Sequence, residues 1–325
     1  MKKSIVVIVF AMVFNHGYTQ SFSIKESGTF IPQKKKVILY QDKANKNLIL
    51  FKTNLQVNTD GIPISYHPFD LRGNSIALNT ILNAVSIYRL SDKIRISNPK
   101  KPNSFSKNEK KVMRSEAYRV FEKFRDSKYD TVPVGYKINW QNVLIADSNG
   151  KPCVLTTGKY KGYFASATAL KNGLNTNLGE CECNNQVDPF EVPMLVLAGG
   201  KNIVKTYGAK VGDLVLAYNM TNHNLVYSII GDTGPPENLG EGSVILNMKL
   251  IGTTSYPKTR ADTYNIATGK DIMICVLPNS SSFDTAKPYT QENIKIRILK
   301  WFSDQGYPDE QKIKDFFEQN KTEFK

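Results

Sequence analysis

The sequence predicts an α+β fold, mainly β with peripheral helices, built on a closed or nearly closed barrel of short strands that carries insertions. Three observations predict it. Short apolar runs recur over residues 132–280 with turn signals such as Asn149-Gly150 and Gly199-Gly200 between them. One apolar helical stretch, Ser243 to Leu250, is embedded among those runs, and helical periodicity returns over residues 290–320. With 41% hydrophobic and 22% charged residues, the chain is globular in composition, which excludes disorder, collagen and coiled coil as the main architecture.

The N-terminus has the pattern of a targeting segment: Lys2 and Lys3, an apolar run from Ile5 to Phe14, then polar residues to Gln20. Ten apolar residues are too few for a bilayer-spanning helix, so residues 1–20 are expected to be a cleaved signal peptide and 21–325 a single exported domain, secreted or periplasmic. No A-x-A pattern precedes Ser21, and an uncleaved interfacial anchor is the weaker alternative. No stable membrane insertion is expected.

Past the signal, Lys36 to Tyr40 and Leu48 to Phe51 are expected strands, followed by the turn Asn58-Thr59-Asp60-Gly61. Residues 91–128 form a basic helical insertion, in which twelve Lys or Arg stand against five Asp or Glu. Val112, Ala117, Val120, Phe121 and Phe124 recur there at helical spacing, so the charges read as the solvated face of an amphipathic helix. No aromatic or Arg-rich stacking pattern accompanies them, and no nucleic-acid partner is expected. Expected strands then follow at Val143 to Ala146, Val154 to Thr157, Gly162 to Ala165, Val192 to Ala198, Asp213 to Tyr218, Leu225 to Ile230 and Asp271 to Leu277. Thr290 to Phe302 and Pro308 to Asn320 are two short amphipathic helices.

The formal net charge is +14, near +12 once Lys2 and Lys3 are removed, and half the excess lies in residues 91–128. Such a chain suits a polyanionic partner, without choosing among nucleic acid, anionic lipid and wall polymer. In an exported chain the four cysteines are disulfide candidates. Cys181 and Cys183 are too close to bond each other without strain; one or two disulfides are expected, at least one of them joining Cys153 to Cys181 or Cys183, which flank Gly162 to Leu170, because an exported barrel with long insertions gains from closing that loop. The C-x-C lacks a second ligand pair, and His67 and His223 are the only histidines after the signal, so no metal site and no cofactor are expected.

The stretch with most chemistry is Gly212 to Gly252. An apolar strand runs directly into Gly231-Asp232-Thr233-Gly234-Pro235, and nine residues after Asp232 stands Glu241, between two glycines and just before Ser243, a candidate helix N-cap. Two carboxylates on rigid elements beside a cleft are what glycosidic cleavage needs, one to protonate the leaving oxygen and one to act at the anomeric carbon. On spacing alone, Asp232 could equally organise a turn and Glu241 complement a helix N-terminus.

The order strand, Gly-Asp-x-Gly-Pro, short loop, Gly-Glu-x-Ser, apolar helix resembles the double-psi β-barrel of secreted polysaccharide-cleaving and wall-lytic proteins. Ile229 to Leu246 (IIGDTGPPENLGEGSVIL) resembles the core motif of glycoside hydrolase family 75, the chitosanases. Blocks at Asn58 to Pro68, Ala77 to Val85, Gly158 to Leu170 and Asp188 to Gly200 agree in order, so the likeness spans Asn58 to Leu250. It implies a double-psi β-barrel-like core and an endo-acting, inverting hydrolase of β-1,4-linked glucosamine polymer, with Asp232 and Glu241 as the catalytic pair. Asp60 matches a further acidic position, and Asp60, Tyr66 and Thr233 are the implied substrate-binding residues; His67 is given no role.

The expected partner is therefore an amino-sugar polysaccharide, with the chain a monomer. A basic protein should repel cationic chitosan, which requires either that the basic segment lie away from the cleft or that the substrate be less cationic. Two other functions fit the same residues: cleavage of peptidoglycan glycan strands, and carbohydrate or wall binding without turnover. No phosphate loop, G-x-S-x-G nucleophile or metal motif is present to suggest nucleotide, esterase or metallohydrolase chemistry.

Overall fold

The computed structural model describes residues 22–31, 37–44, 47–99, 105–173, 179–269 and 271–324, so the predicted signal segment lies outside the described residues. In chain order the strands β1 (Ile24–Phe30), β2 (Val37–Asp42), β3 (Ile49–Thr53), β4 (Gln56–Asn58), β5 (Val85–Arg89) and β6 (Ile94–Arg95) precede helix α1 (Lys107–Asp126). Then come β7 (Tyr136–Trp140), β8 (Met194–Ala198), α2 (Ile203–Thr206), β9 (Leu214–Asn219), β10 (Leu225–Gly234), β11 (Glu241–Ser243), α3 (Val244–Ile251) and α4 (Arg260–Asn265). The chain ends with β12 (Ile272–Val276), α5 (Gln291–Asp304) and α6 (Glu310–Gln319). The fold is mixed α+β: a nine-stranded sheet in the order β1-β2-β3-β12-β9-β10-β8-β11-β4, a three-stranded sheet β6-β5-β7, and helices around them.

Alternation along the central strands fills two cores. Leu214, Leu216 and Tyr218 of β9, with Met273 and Cys275 of β12, point to one side; Val215 and Ala217, with Ile272, Ile274 and Val276, point to the other. Both faces are buried, which is why these strands are continuous apolar runs instead of alternating ones. Ile294, Ile298, Phe302, Ile313, Phe316 and Phe317 of α5 and α6 cover the first side. On the second, one continuous core runs along the sheet from Phe30 and Val37 near one end to Leu195 and Leu197 near the other.

The small sheet packs against α1 through Val85, Ile87, Met113, Ala117, Val120 and Phe121. A capping box fixes the start of α1, with the Ser106 hydroxyl accepting from Glu109 N–H and the Glu109 carboxylate accepting from Ser106 N–H at 2.7 Å. The expected helix is present, with one correction. Val112 is 65% exposed, and Met113 takes its place in the buried stripe, because the stripe follows the i, i+4 row 113, 117, 121. The basic segment is also less separate than an insertion would be: β6, inside residues 91–128, pairs with β5 through Tyr88↔Arg95 and Arg89↔Ile94.

The expected strands at Val143 to Ala146, Val154 to Thr157 and Gly162 to Ala165 are present only as single bridges, Leu144↔Ser166, Ala146↔Pro152 and Val154↔Phe164. Pro152 lacks a ladder donor, and tight turns at Gly150, Gly158 and Gly162 leave no room for longer pairing. What ties this segment together is the Cys153–Cys181 disulfide, one of the two expected pairings; Cys183 and Cys275 are free thiols. Closing a 28-residue separation stabilises by roughly 3.5 kcal/mol in the chain-entropy treatment. Denatured, unreduced protein is expected to titrate two thiols and reduced protein four, and reduction should lower the melting temperature by several degrees. Four thiols without reductant would refute the bond. Among the described residues no helix is long and apolar enough to cross a membrane.

Candidate active site

The site is built on four adjacent strands, β10, β8, β11 and β4. β10 runs parallel to β8, and the register slips between Ile230↔Leu195 and Asp232↔Val196, leaving Gly231 as an extra residue. This bulge matters because Ile230 is a core residue beside Leu195, whereas simple alternation would send Asp232 to the same side. With one residue extra, Asp232 instead pairs with Val196. Gly231 is required by the close approach: a Cβ there would lie 2.0 Å from Met194 Sδ and 2.8 Å from Met194 Cβ.

On the other side of β8, antiparallel β11 pairs Glu241 with the same Val196. Asp232 and Glu241 thus flank one valine on the same side of the sheet, two strand spacings apart, or roughly 9 to 10 Å between backbones. Glu241 accepts a hydrogen bond from Asn238 Nδ2. A side chain at Gly234 would meet Val196 Cγ1 at 2.9 Å and Glu241 Oε2 at 3.0 Å, so glycine keeps the space beside the glutamate open. Ser243 is the expected N-cap of α3: its hydroxyl accepts from Leu246 N–H at 3.3 Å and from Met194 N–H at 2.9 Å, tying the helix start to β8. Glu241, however, begins a strand and not a helix, so it does not serve as a helix-terminus charge.

β4 lies parallel to β11, with Gln56 beside Glu241, and leads into the Asn58-Thr59-Asp60-Gly61 turn. Asn58 Oδ1 accepts from Asp60 N–H at 2.6 Å, and Gly61, at φ +85°, has the left-handed backbone the turn needs. Asp60 Oδ1 accepts from the Tyr66 hydroxyl, which in turn accepts from Asn79 Nδ2 at 3.1 Å. Tyr66 is fully buried. It reaches the site through Asp60 and Asn79 and does not line the cleft, which corrects the expectation that it contacts substrate.

Asp60, Thr233 and Glu241, but not Asp232, border a cleft of about 480 Å³ between the two sheets. Its lining includes Asp60, Thr233, Gly234 and Glu241 from or beside the large sheet, Arg95, Asn98 and Gln141 from or beside the small one, and Asn79 and Asn83, of which Asn79 donates to Thr59 Oγ1 at 2.9 Å and so lies next to the Asp60 turn. Thr233 is exposed at the cleft edge. Asp232 lies behind Thr233, partly buried, with Oδ1 accepting from Ala169 N–H at 3.2 Å and Thr233 N–H at 2.8 Å.

Burial pushes the Asp232 carboxyl up to about 7, against the two backbone N–H groups and with added repulsion from Asp60 and Glu241. Burial also raises Glu241, opposed by its bond from Asn238 and assisted by the Asp60 charge. Asp60 is raised by burial, with the Tyr66 bond opposing. The three carboxyls therefore share one field. Among the described residues no group of three His, Cys, Asp or Glu is placed to hold a metal ion.

Residues that the sequence did not single out complete the site: Val196 between the two carboxylates, Asn238 on Glu241, the Ala169 N–H on Asp232, and Asn79 and Arg95 in the cleft lining. A scan against protein-family models gives no match, and a search of curated proteins finds no relative.

Proposed function

We propose that the chain is an exported, endo-acting glycoside hydrolase that cleaves a β-1,4-linked amino-sugar polymer of the chitosan type with inversion, on a double-psi β-barrel-like core. The observation that carries the reading is the placement of Asp232 and Glu241 on either side of Val196, with Asp232 holding its proton up to about pH 7. The parallel pairs β10·β8 and β11·β4 within an otherwise antiparallel sheet support the barrel topology.

Asp232 is assigned as the general acid. Its Oδ1 takes both backbone N–H groups, so Oδ2 carries the proton that passes to the leaving glycosidic oxygen. Glu241 is assigned as the base: it takes a proton from water as that water attacks the anomeric carbon from the opposite face, and the C–O bond breaks. Two strand spacings leave room for the water, which suits carboxyl groups roughly 6.5 to 9.5 Å apart instead of the shorter separation of a retaining pair. Asp60 offers a carboxylate to a substrate amine.

The pH profile tests this assignment. kcat/KM should fall on the alkaline side as Asp232 loses its proton near 7, and on the acid side as Glu241 gains one above the usual glutamate value, giving an optimum below neutrality. The products, followed by NMR in the first minutes on glucosamine oligomers, should have the inverted anomer. Activity undiminished at pH 9, or a retained anomer, would refute it.

A further inference from the structure

The cleft walls differ in charge, and the difference bears on which sugar is read. Asp60 and Glu241 stand on the large-sheet wall. From the small sheet, Arg95 is the cleft's sole Lys or Arg among the described residues. Arg95 sits on the two-residue strand β6, paired with Tyr88, and its Nε donates to Ser97 Oγ at 3.3 Å. Ser97 Oγ is itself held by Ile87 N–H at 3.1 Å, so the guanidinium is anchored at one end. Among the described residues no carboxylate lies within 4 Å of Arg95, and its two terminal nitrogens have no partner there.

Its neighbours are amides. Gln141 donates Nε2 to Ser86 Oγ at 2.8 Å, and Asn83 donates Nδ2 to Asn79 Oδ1 at 2.7 Å. Asn98 has no side-chain partner among the described residues. An anchored guanidinium whose terminal nitrogens have no partner among the described residues, set next to amides, accommodates a carbonyl oxygen and repels an ammonium. A polymer of free amines throughout would place one of them against Arg95.

Resting on the glycosidase reading above, we propose that Arg95 and Asn98 form an acetamido-reading subsite: they receive the carbonyl of an N-acetylated sugar, while Asp60 faces a free amine. This also answers the charge problem of a basic protein acting on a cationic chain, since each acetyl group removes one positive charge from the polymer.

The test uses binding, so that it does not depend on turnover. In the Glu241→Gln background, calorimetry with the glucosamine tetramer and the N-acetylglucosamine tetramer gives a ratio of dissociation constants. Adding Arg95→Gln should shift that ratio about tenfold toward the glucosamine tetramer; the charge removed at position 241 is common to both proteins and cancels. Asn98→Ala should weaken the acetylated tetramer about threefold and leave the other unchanged, and it decides the matter if Arg95→Gln does not fold.

A ratio unchanged within twofold, or no binding of either tetramer, would overturn the proposal. Tighter binding of a muramic-acid-containing tetrasaccharide than of the acetylated tetramer would overturn it in favour of a carboxylate reader. Failure of the unsubstituted protein to hydrolyse any of these glycans, with the Arg95-dependent ratio intact, would count against the hydrolase reading and not against the subsite.

Discussion

Asp232→Asn and Glu241→Gln are each expected to lower kcat on partly acetylated chitosan by roughly 10²- to 10⁴-fold, the usual weight of a positioned proton donor or acceptor, while making the folded protein more stable at neutral and alkaline pH. The second effect follows from the raised carboxyls. A group whose folded pKa lies above its unfolded value binds its proton more tightly when folded, so its contribution to stability is present at low pH and declines as pH rises from the unfolded value through the folded one. For Asp232 that window runs from 3.8 to about 7. Above it, the wild-type protein holds a charge in a poorly solvated place, and the Asp232→Asn variant does not. Removing that charge should be worth on the order of 2 kcal/mol at pH 8, after discounting for the partial access of water. Glu241→Gln should act in the same direction. Thermal melts at pH 5 and pH 8 check this: the gain over wild type should be larger at pH 8. A residue that merely organised a turn would show the opposite, losing stability when its carboxylate was removed, with little change in turnover.

Much of the fold was legible because its strands are buried on both faces. Runs such as Leu214 to Tyr218 and Ile272 to Val276 have no polar interruption, so their extent follows from composition alone. Helix starts were legible for a different reason. Ser243 and Thr290 are caps whose side chains accept from N–H groups three residues on, a local chemistry that needs no tertiary information. Single bridges at residues 143–166 read as strands because alternation is visible in sequence, whereas the shortage of ladder partners is not.

At the site, the carboxylates were legible, but the means of holding them was not. Tyr66 stands close to Asp60 in sequence and so reads as a cleft residue, yet its burial depends on packing with Leu71, Ile81 and Phe164. Arg95 is one basic residue among many in residues 91–128, and nothing local marks it as the one that lines the cleft. Val196 reads as an ordinary strand residue. Its position between the two carboxylates depends on the order β10-β8-β11, set by long-range pairing.

The glycine before Asp232 offers the most direct test of how the fold aims the site. Gly231→Ala should cost roughly 1 to 3 kcal/mol in stability, the range for an overpacked core, and should lower kcat by about 10²-fold, although residue 231 touches no substrate in the proposed mechanism. The added methyl would lie 2.0 Å from Met194 Sδ, 2.6 Å from its Cγ and 2.8 Å from its Cβ. The thioether end can swing away, but Cβ moves only with β8 itself, so relief requires β10 and β8 to separate. That separation acts where Asp232 changes sides, and a displacement near 1 Å of an acid from its leaving oxygen is enough for such a loss. The double variant Gly231→Ala/Met194→Ala removes the two nearest clashing atoms and keeps the third. It should therefore recover part of the activity that Gly231→Ala loses, even though Met194→Ala alone leaves a cavity and destabilises. If Gly231→Ala kept wild-type turnover, the bulge would not be what directs Asp232 toward Val196, and the assignment of the acid would have to rest elsewhere.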